Sequence, residues 1–346
     1  MGTRISLLTG DDYEMQILNK VSRSFALTIP QLPKKLSRTV TNAYLLCRIV
    51  DTIEDEPGLS LDQKRVFFHD FVDVVHQKLP AKQFADGLYP LLSERTLPAE
   101  RELIHHTPAV IRTFSSFSNK QQAAIRRCVD KMSSGMLRFQ ETRNSHGLET
   151  IAHMSKYCYY VAGVVGEMLT DLFCDYSETI AENRKKLFPL GASFGQGLQM
   201  TNILKDLWED KARGACWLPR DVFRKVGFDL NCLVAGDYQA KFGEGLAVLI
   251  GITRGHLTNG LTYTLLIPKS ETGIRRFCLW AIGMAIFTLR NIDKTRNFTN
   301  GGDVKISRRT ARAIMMMSNA ALKSNFSLKV LFKMATHGLT PTTSLT

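Results

Sequence analysis

The sequence lacks the glycine devices that cradle nucleotides: neither a GxGxxG turn after a strand nor a P-loop occurs in its 346 residues. Strand signals are scarce, since few alternating runs are bounded by turn pairs, and this argues against a β-sheet protein. The seven cysteines are isolated, odd in number and contain no CxxC pair, a usage that gives no sign of a disulfide framework. Most lie in apolar helical patterns, as reduced thiols do, so the expected compartment is the reducing cytoplasm. No charged-then-apolar leader opens the chain. The longest apolar run, Phe277 to Leu289, contains Gly283 and falls short of the roughly 20 residues that span a bilayer. It reads as a buried helix in a soluble or peripheral protein. No Ser/Gly/Pro linker and no repeat divides the chain.

What the chain has is positive charge, helical periodicity and two acidic clusters. The net charge of +13 comes from basic groups scattered along the chain, among them Arg184-Lys185-Lys186, Arg275-Arg276 and Arg308-Arg309. Such an excess suits an anionic partner, either a phosphorylated substrate or an anionic membrane surface, and elsewhere is plain solvated charge. No nucleic-acid motif accompanies it, so nucleic acid is not an expected partner.

Apolar spacing predicts helices over Asp12 to Lys20, Lys35 to Asp55, Leu61 to His76, Pro98 to Phe114 and Asn119 to Gln140. It continues over Leu148 to Phe173, Ile180 to Asp210, Cys232 to Ile267, Ile274 to Ile292 and Arg308 to Leu322. The expected fold is all-α: one domain over 1–346 with its core at about 12–325, and a monomer is favoured.

The acidic clusters are Asp51-Thr-Ile-Glu54-Asp55 and Asp206-Leu-Trp-Glu209-Asp210. Within each, two aspartates four apart share one face of a helix, where like charge is unfavourable unless a cation lies between. Tyr44, Arg48, Asp51 and Asp55 make one stripe on the first helix. Gln199, Asn202, Asp206 and Asp210 make another on the second, with Lys205 and Arg213 close by. A single pair of this kind is commonly a solvated helix end; its recurrence on a second apolar helix favours a site. Mg²⁺ takes octahedral oxygen ligands and commonly bridges one or two carboxylates to phosphates. Arg48, Lys205 and Arg213 could meet the remaining phosphate charge, and metals with cations make diphosphate a better leaving group. If the departing group leaves an allylic cation, the pocket must be dry and aromatic. Candidate walls are Phe25, Tyr44, Tyr157, Tyr160 and Phe277, although core packing is the commoner role for each taken singly.

The ordered words Ser22-Arg-Ser-Phe25, Tyr44 through Asp55, Lys156-Tyr157-Cys-Tyr-Tyr160-Val-Ala-Gly163-Val-Val-Gly166, Leu198 through Asp210, Phe277-Cys278 and Val304-Lys305-Ile306 cover nearly the whole chain. In these the sequence resembles the squalene/phytoene synthase family of head-to-head prenyl synthases, and its squalene-forming branch more than its phytoene-forming one. The resemblance implies an isoprenoid synthase helical bundle around a central cavity. It implies condensation of two farnesyl diphosphates to presqualene diphosphate, then NADPH-dependent rearrangement and reduction to squalene. Asp51, Glu54 and Asp55 match the first Mg²⁺/diphosphate motif, and Asp206 and Asp210 the second. Arg23, Ser24, Arg48 and Asn202 fall at implied substrate-binding positions, where Phe25, Tyr44, Gln199, Lys205 and Arg213 from the residue reading join them as the expected substrate-binding set, and Tyr157 matches a tyrosine of the first half-reaction. Phe277 and Cys278 match the pocket of the second half-reaction, while Lys305, with Arg308 near it, matches the loop associated with the reductant.

The pattern is not followed everywhere. Lys205 stands where the family usually carries Arg, Ala281 where eukaryotic members have proline, and Ser307 where Arg is expected. The run Lys211-Ala-Arg213-Gly-Ala-Cys-Trp-Leu-Pro219 is closer to phytoene synthases. These departures fall on the reductive half more than on the condensation. They leave a dehydrosqualene-, hydroxysqualene- or phytoene-type synthase as one alternative, and a non-catalytic lipid-binding assembly factor as another. A C-terminal membrane anchor is not expected. Phe326 to His337 mixes apolar residues with Lys329 and Lys333, and reads either as a helix on a membrane surface or as a last helix packed on the body.

Overall fold

The computed structural model describes residues 10–142 and 144–341. These form helices throughout: among the described residues there is no strand, only an isolated bridge between Leu148 and Pro219. The chain gathers into two compact units, Met1–Glu141 with Met168–Ala181, and Thr142–Glu167 with Glu182–Thr346.

The first unit begins with α1 (Gly10–Val21), α2 (Phe25–Thr28), α3 (Lys34–Asp55) and α4 (Leu61–Val75). It continues through α5 (Ala81–Leu88), α6 (Pro98–His105), α7 (Thr107–Ser115) and α8 (Asn119–Glu141). Its axis is α3, where Leu45, Leu46, Ile49, Val50 and Ile53 are fully buried. α1, α4, α6, α7 and α8 all pack on it. The single helix predicted from Pro98 to Phe114 is broken at His106, ahead of Pro108, whose ring and missing N–H do not suit a helix interior. α4 starts where Ser60 and Gln63 make a reciprocal capping box.

The remaining helices are α9 (Ile151–Cys158), α10 (Val164–Tyr176), α11 (Glu178–Ala181), α12 (Arg184–Lys205), α13 (Leu207–Ala212) and α14 (Arg220–Lys225). They are followed by α15 (Ala240–Leu266), α16 (Thr272–Lys294), α17 (Arg308–Ala321) and α18 (Asn325–Thr336). The predicted helix from Leu148 to Phe173 is instead α9, a π-helical turn over Tyr159–Gly163, and α10. The predicted helix from Ile180 to Asp210 is interrupted at Asp206, which caps α12 with φ −96° and ψ 18°. Cys232 belongs to a short 3-10 turn rather than to α15.

The second unit is organised on α12, against which the π turn, α15 and α16 pack. Glycines allow the backbones to meet. A Cβ at Gly195 would fall 2.0 Å from the Ala162 carbonyl oxygen, and one at Gly166 would fall 2.0 Å from that of Gly191. No side chain fits there, so α12 and the π turn lie backbone to backbone. α16 extends beyond its apolar run to 23 residues and could cross a membrane by length and composition. Its apolar window is 61% buried inside the protein, as in a core helix. Arg275, fully buried, donates to the Ile267 carbonyl at the end of α15 and to Asn325 at the start of α18.

Candidate active site

The first acidic motif ends α3. Ile49, Val50 and Ile53 around it are apolar and buried, whereas Tyr44, Arg48 and Asp51 are half-buried and Asp55 is exposed. The polar stripe expected from the spacing is therefore the open face of the helix. Arg48 is bound to Glu100 of α6 and lies 3.5 Å from Asp51. Phe25 packs on Tyr44 with ring centroids 5.1 Å apart, and its N–H donates to Ser22 Oγ. Arg23 and Ser24 are exposed in the turn between α1 and α2. Glu54 departs from the stripe: it is 6% exposed and accepts from Gln140 Nε2 of α8 at 3.2 Å.

This motif is short of positive charge. Burial, with Asp55 and Glu100 nearby, pushes the Asp51 carboxyl up to about 7 in spite of Arg48. Burial, with Asp55 and Asp51, pushes Glu54 up to about 8, against Gln140 and Lys64. Burial also raises the Tyr44 phenol. Carboxylates that resist ionisation in a crowded, partly dry setting are those a cation would relieve.

The second motif is balanced differently. Lys205 Nζ lies 2.7 Å from Asp206, and Arg213 lies 2.5 Å from Asp210, so each aspartate has its own cation. Asn202 is exposed and Gln199 half-buried on the last turns of α12. Although α12 and α13 are separate helices, the Asp210 N–H still donates to the Asp206 carbonyl at 2.9 Å, so the four-residue relation of the pair is kept.

Two further segments meet this motif. Glu209 accepts from the Gly301 N–H at 2.7 Å, and Trp208 Nε1 donates to the Phe298 carbonyl at 2.6 Å. The segment 298–305, which carries Lys305, is thereby tied to α13. A Cβ at Gly301 would come within 3.1 Å of Asp206 Oδ1 and Glu209 Oε1, so a larger residue would crowd the motif. Lys305 and Arg308 are exposed, Arg308 being the first residue of α17. In the other direction the chain turns at Gly214, whose φ of +74° suits glycine, and the Ala215 N–H returns to the Asp210 carbonyl at 2.9 Å.

That turn delivers Trp217, which stacks on Tyr157 with ring centroids 3.9 Å apart and planes 7° from parallel. Both rings are buried. Trp217 and Gly301 are additions to the candidate site residues, and Glu209, named in the second acidic cluster, gains a role as the acceptor for Gly301. Trp217 was visible only as part of an unusual word after the motif, and the role of Gly301 had no local signal. Phe277 and Cys278 are buried on α16, and burial pushes the Cys278 thiol up to about 12, leaving it an inert apolar wall.

Among the described residues, no three or more His, Cys, Asp or Glu side chains are grouped to hold a metal ion. The donors fit Mg²⁺ in its usual mode, one or two carboxylates with waters and substrate phosphates, rather than an all-protein cage.

The family described as squalene/phytoene synthase matches residues 18–310. Squalene synthase ERG9 of Saccharomyces cerevisiae is 29% identical over 308 residues, which cover 88% of this chain and 66% of that one. A solved complex of TcSQS with the ligand BPH1237 superposes with a TM-score of 0.73 at 25% identity, covering 94% of this chain and 91% of that chain. A dehydrosqualene synthase in complex with ligand shares the fold, with a TM-score of 0.68 at 22% identity over 91% of this chain and 97% of that chain. The chain spans less than two thirds of the length of the first curated relatives it matches, 66% of ERG9 and 60% of the squalene synthase of Cyberlindnera jadinii.

Proposed function

The chain belongs to the squalene/phytoene synthase family, and on that premise we propose that it joins two farnesyl diphosphates head to head into presqualene diphosphate and reduces this to squalene with NADPH. The two units are read as one functional domain. The observation that carries the proposal is the first motif, where Asp51 and Glu100 share Arg48 while Asp55 adds its charge to Asp51, so that the acids outnumber the arginine. Asp51, Asp55, Asp206 and Asp210 would hold Mg²⁺, which when bound supplies the charge that lets the C–O bond break with the electron pair leaving on diphosphate. Arg48, Lys205 and Arg213 would orient the departing phosphates, with Arg23, Ser24, Gln199 and Asn202 as polar neighbours of the substrate.

The allylic cation left behind needs walls that neither react nor admit water. The Tyr157–Trp217 stack offers aromatic faces of that kind, and the buried Phe277 and Cys278 offer dry surface. NADPH, when bound, supplies hydride; Lys305 and Arg308 are cations suited to its phosphates, beside the N-terminus of α17.

The test is product analysis of purified protein with farnesyl diphosphate and Mg²⁺, with and without NADPH. Squalene formed only with NADPH is the expected result. A product profile indifferent to NADPH would overturn the reductive half and assign a dehydrosqualene- or hydroxysqualene-type reaction. Asp51→Asn and Asp206→Asn should each lower turnover by about 100-fold or more while leaving the melting temperature nearly unchanged. Full activity in either variant would remove the metal assignment.

A further inference from the structure

The C-terminal helices reconcile the two readings of Phe326 to His337. α18 packs inward through Leu328, with Leu331 and Phe332 against the same cluster of Leu261, Leu279, Ala321 and Leu322. It is pinned at both ends: Asn325 accepts from buried Arg275, and Arg290 of α16 donates to the Ala335 and His337 carbonyls. Its opposite face is nevertheless apolar. Phe326, Val330 and Met334 recur every four residues and are 77%, 39% and 63% exposed. Lys329 and Lys333 alternate with them on the same stripe and are exposed. On α17, which packs against α18, Met316 is 70% and Met317 46% exposed.

Charge completes the pattern. From Val304 to Thr346 the sequence holds seven Lys and Arg and no Asp or Glu. Among the described residues, neither Lys329 nor Lys333 is in an ion pair.

We propose that the outward faces of α17 and α18 form a docking surface for an anionic lipid bilayer, with Phe326, Val330, Met334 and Met316 entering the headgroup boundary and the lysines meeting lipid phosphates. Exposed apolar side chains interleaved with lysine on a rigid helix suit an interface plane, because lysine can bury its stem and keep its ammonium among headgroups. A protein partner fits less well, since lysine is depleted in the cores of protein interfaces. The absence of acidic residues removes the repulsion that an anionic leaflet would otherwise meet. The inference does not depend on the proposed chemistry, and its test uses neither substrate, metal nor NADPH.

The measurement is co-sedimentation of the full chain with phosphatidylcholine vesicles, with and without roughly 30 mol% phosphatidylglycerol, at low and high salt. Binding to the anionic vesicles, weakened by salt, is expected. Phe326→Ser with Met334→Ser should weaken it by roughly tenfold, and so should Lys329→Glu with Lys333→Glu. These side chains are exposed, so unchanged thermal melting should accompany the loss. Absence of vesicle binding, equal binding to neutral vesicles, or undiminished binding by both double variants would overturn the proposal. So would sedimentation velocity showing a dimer that Phe326→Ser dissociates, which would assign the face to a second copy of the chain.

Discussion

Arg48 is held between Asp51 and Glu100, and the acids around it outnumber it. One residue beyond Asp55, Glu56 shows the opposite balance. Its carboxylate is 2% exposed yet accepts from the Gly58 N–H at 2.7 Å, the Ser93 N–H at 3.1 Å and the Thr96 hydroxyl. Burial alone would raise its pKa, but these donors outweigh burial and hold it below the ordinary 4.5. The charged form is thus favoured by folding. The stabilisation is present above pH 4.5 and is lost as pH falls through the lower folded value. Glu56→Gln should therefore cost about 1.5–3 kcal/mol at pH 7, with the gap to wild type narrowing as the pH is lowered below 4.5. Urea midpoints across that range check it, and a gap independent of pH would refute the sign. The Glu56 network also fixes the loop leading to α6, which carries Glu100. Ser93 and Thr96 were not legible in the sequence as its partners, because hydrogen bonds to residues some 40 positions away leave no local pattern.

At the scale of elements, the link between α13 and the segment 298–305 matters most. Glu209 is needed there as an acceptor for the Gly301 N–H. A carboxamide can accept as a carboxylate does, whereas a methyl group cannot. Glu209→Gln should keep the segment in place, while Glu209→Ala should expose it. Limited proteolysis within 298–305 should rise several-fold in the alanine variant alone, with the proposed NADPH-dependent step falling more than the proposed condensation. Equal damage in both variants would mean that the charge of Glu209, and not its acceptor, is required. The elements themselves were largely readable: α3, α4, α8, α16 and α17 lie close to the ranges that apolar spacing predicts. The break at Asp206 and the π turn were not. Both sit where helices continue to look periodic, and the backbone contact between the π turn and Gly195 involves residues more than 30 positions apart.

Over the whole molecule, the net charge of +13 should steer anionic substrate. Raising salt from about 0.05 to about 0.5 M should increase KM for the proposed substrate, farnesyl diphosphate, severalfold while changing kcat little, since screening acts on encounter more than on the bound complex. Steady-state kinetics at fixed free Mg²⁺ check this, and a KM indifferent to salt would confine the useful charge to the site. The same positive charge is concentrated after Val304, where it accompanies the apolar outer faces of α17 and α18.

The sequence by itself determined the helical class, the two acid pairs and the stripe of Tyr44, Arg48, Asp51 and Asp55, because helix periodicity is local and a four-residue spacing is enough to align side chains. The tertiary structure decided the rest. It turned Glu54 toward Gln140 and set Trp217 on Tyr157. It also brought Gly301 to Glu209 and left Phe326 outside while Leu328 went in. Burial and charge neighbourhood are properties of packed surfaces, and residues far apart in the chain acquire them only when the helices meet.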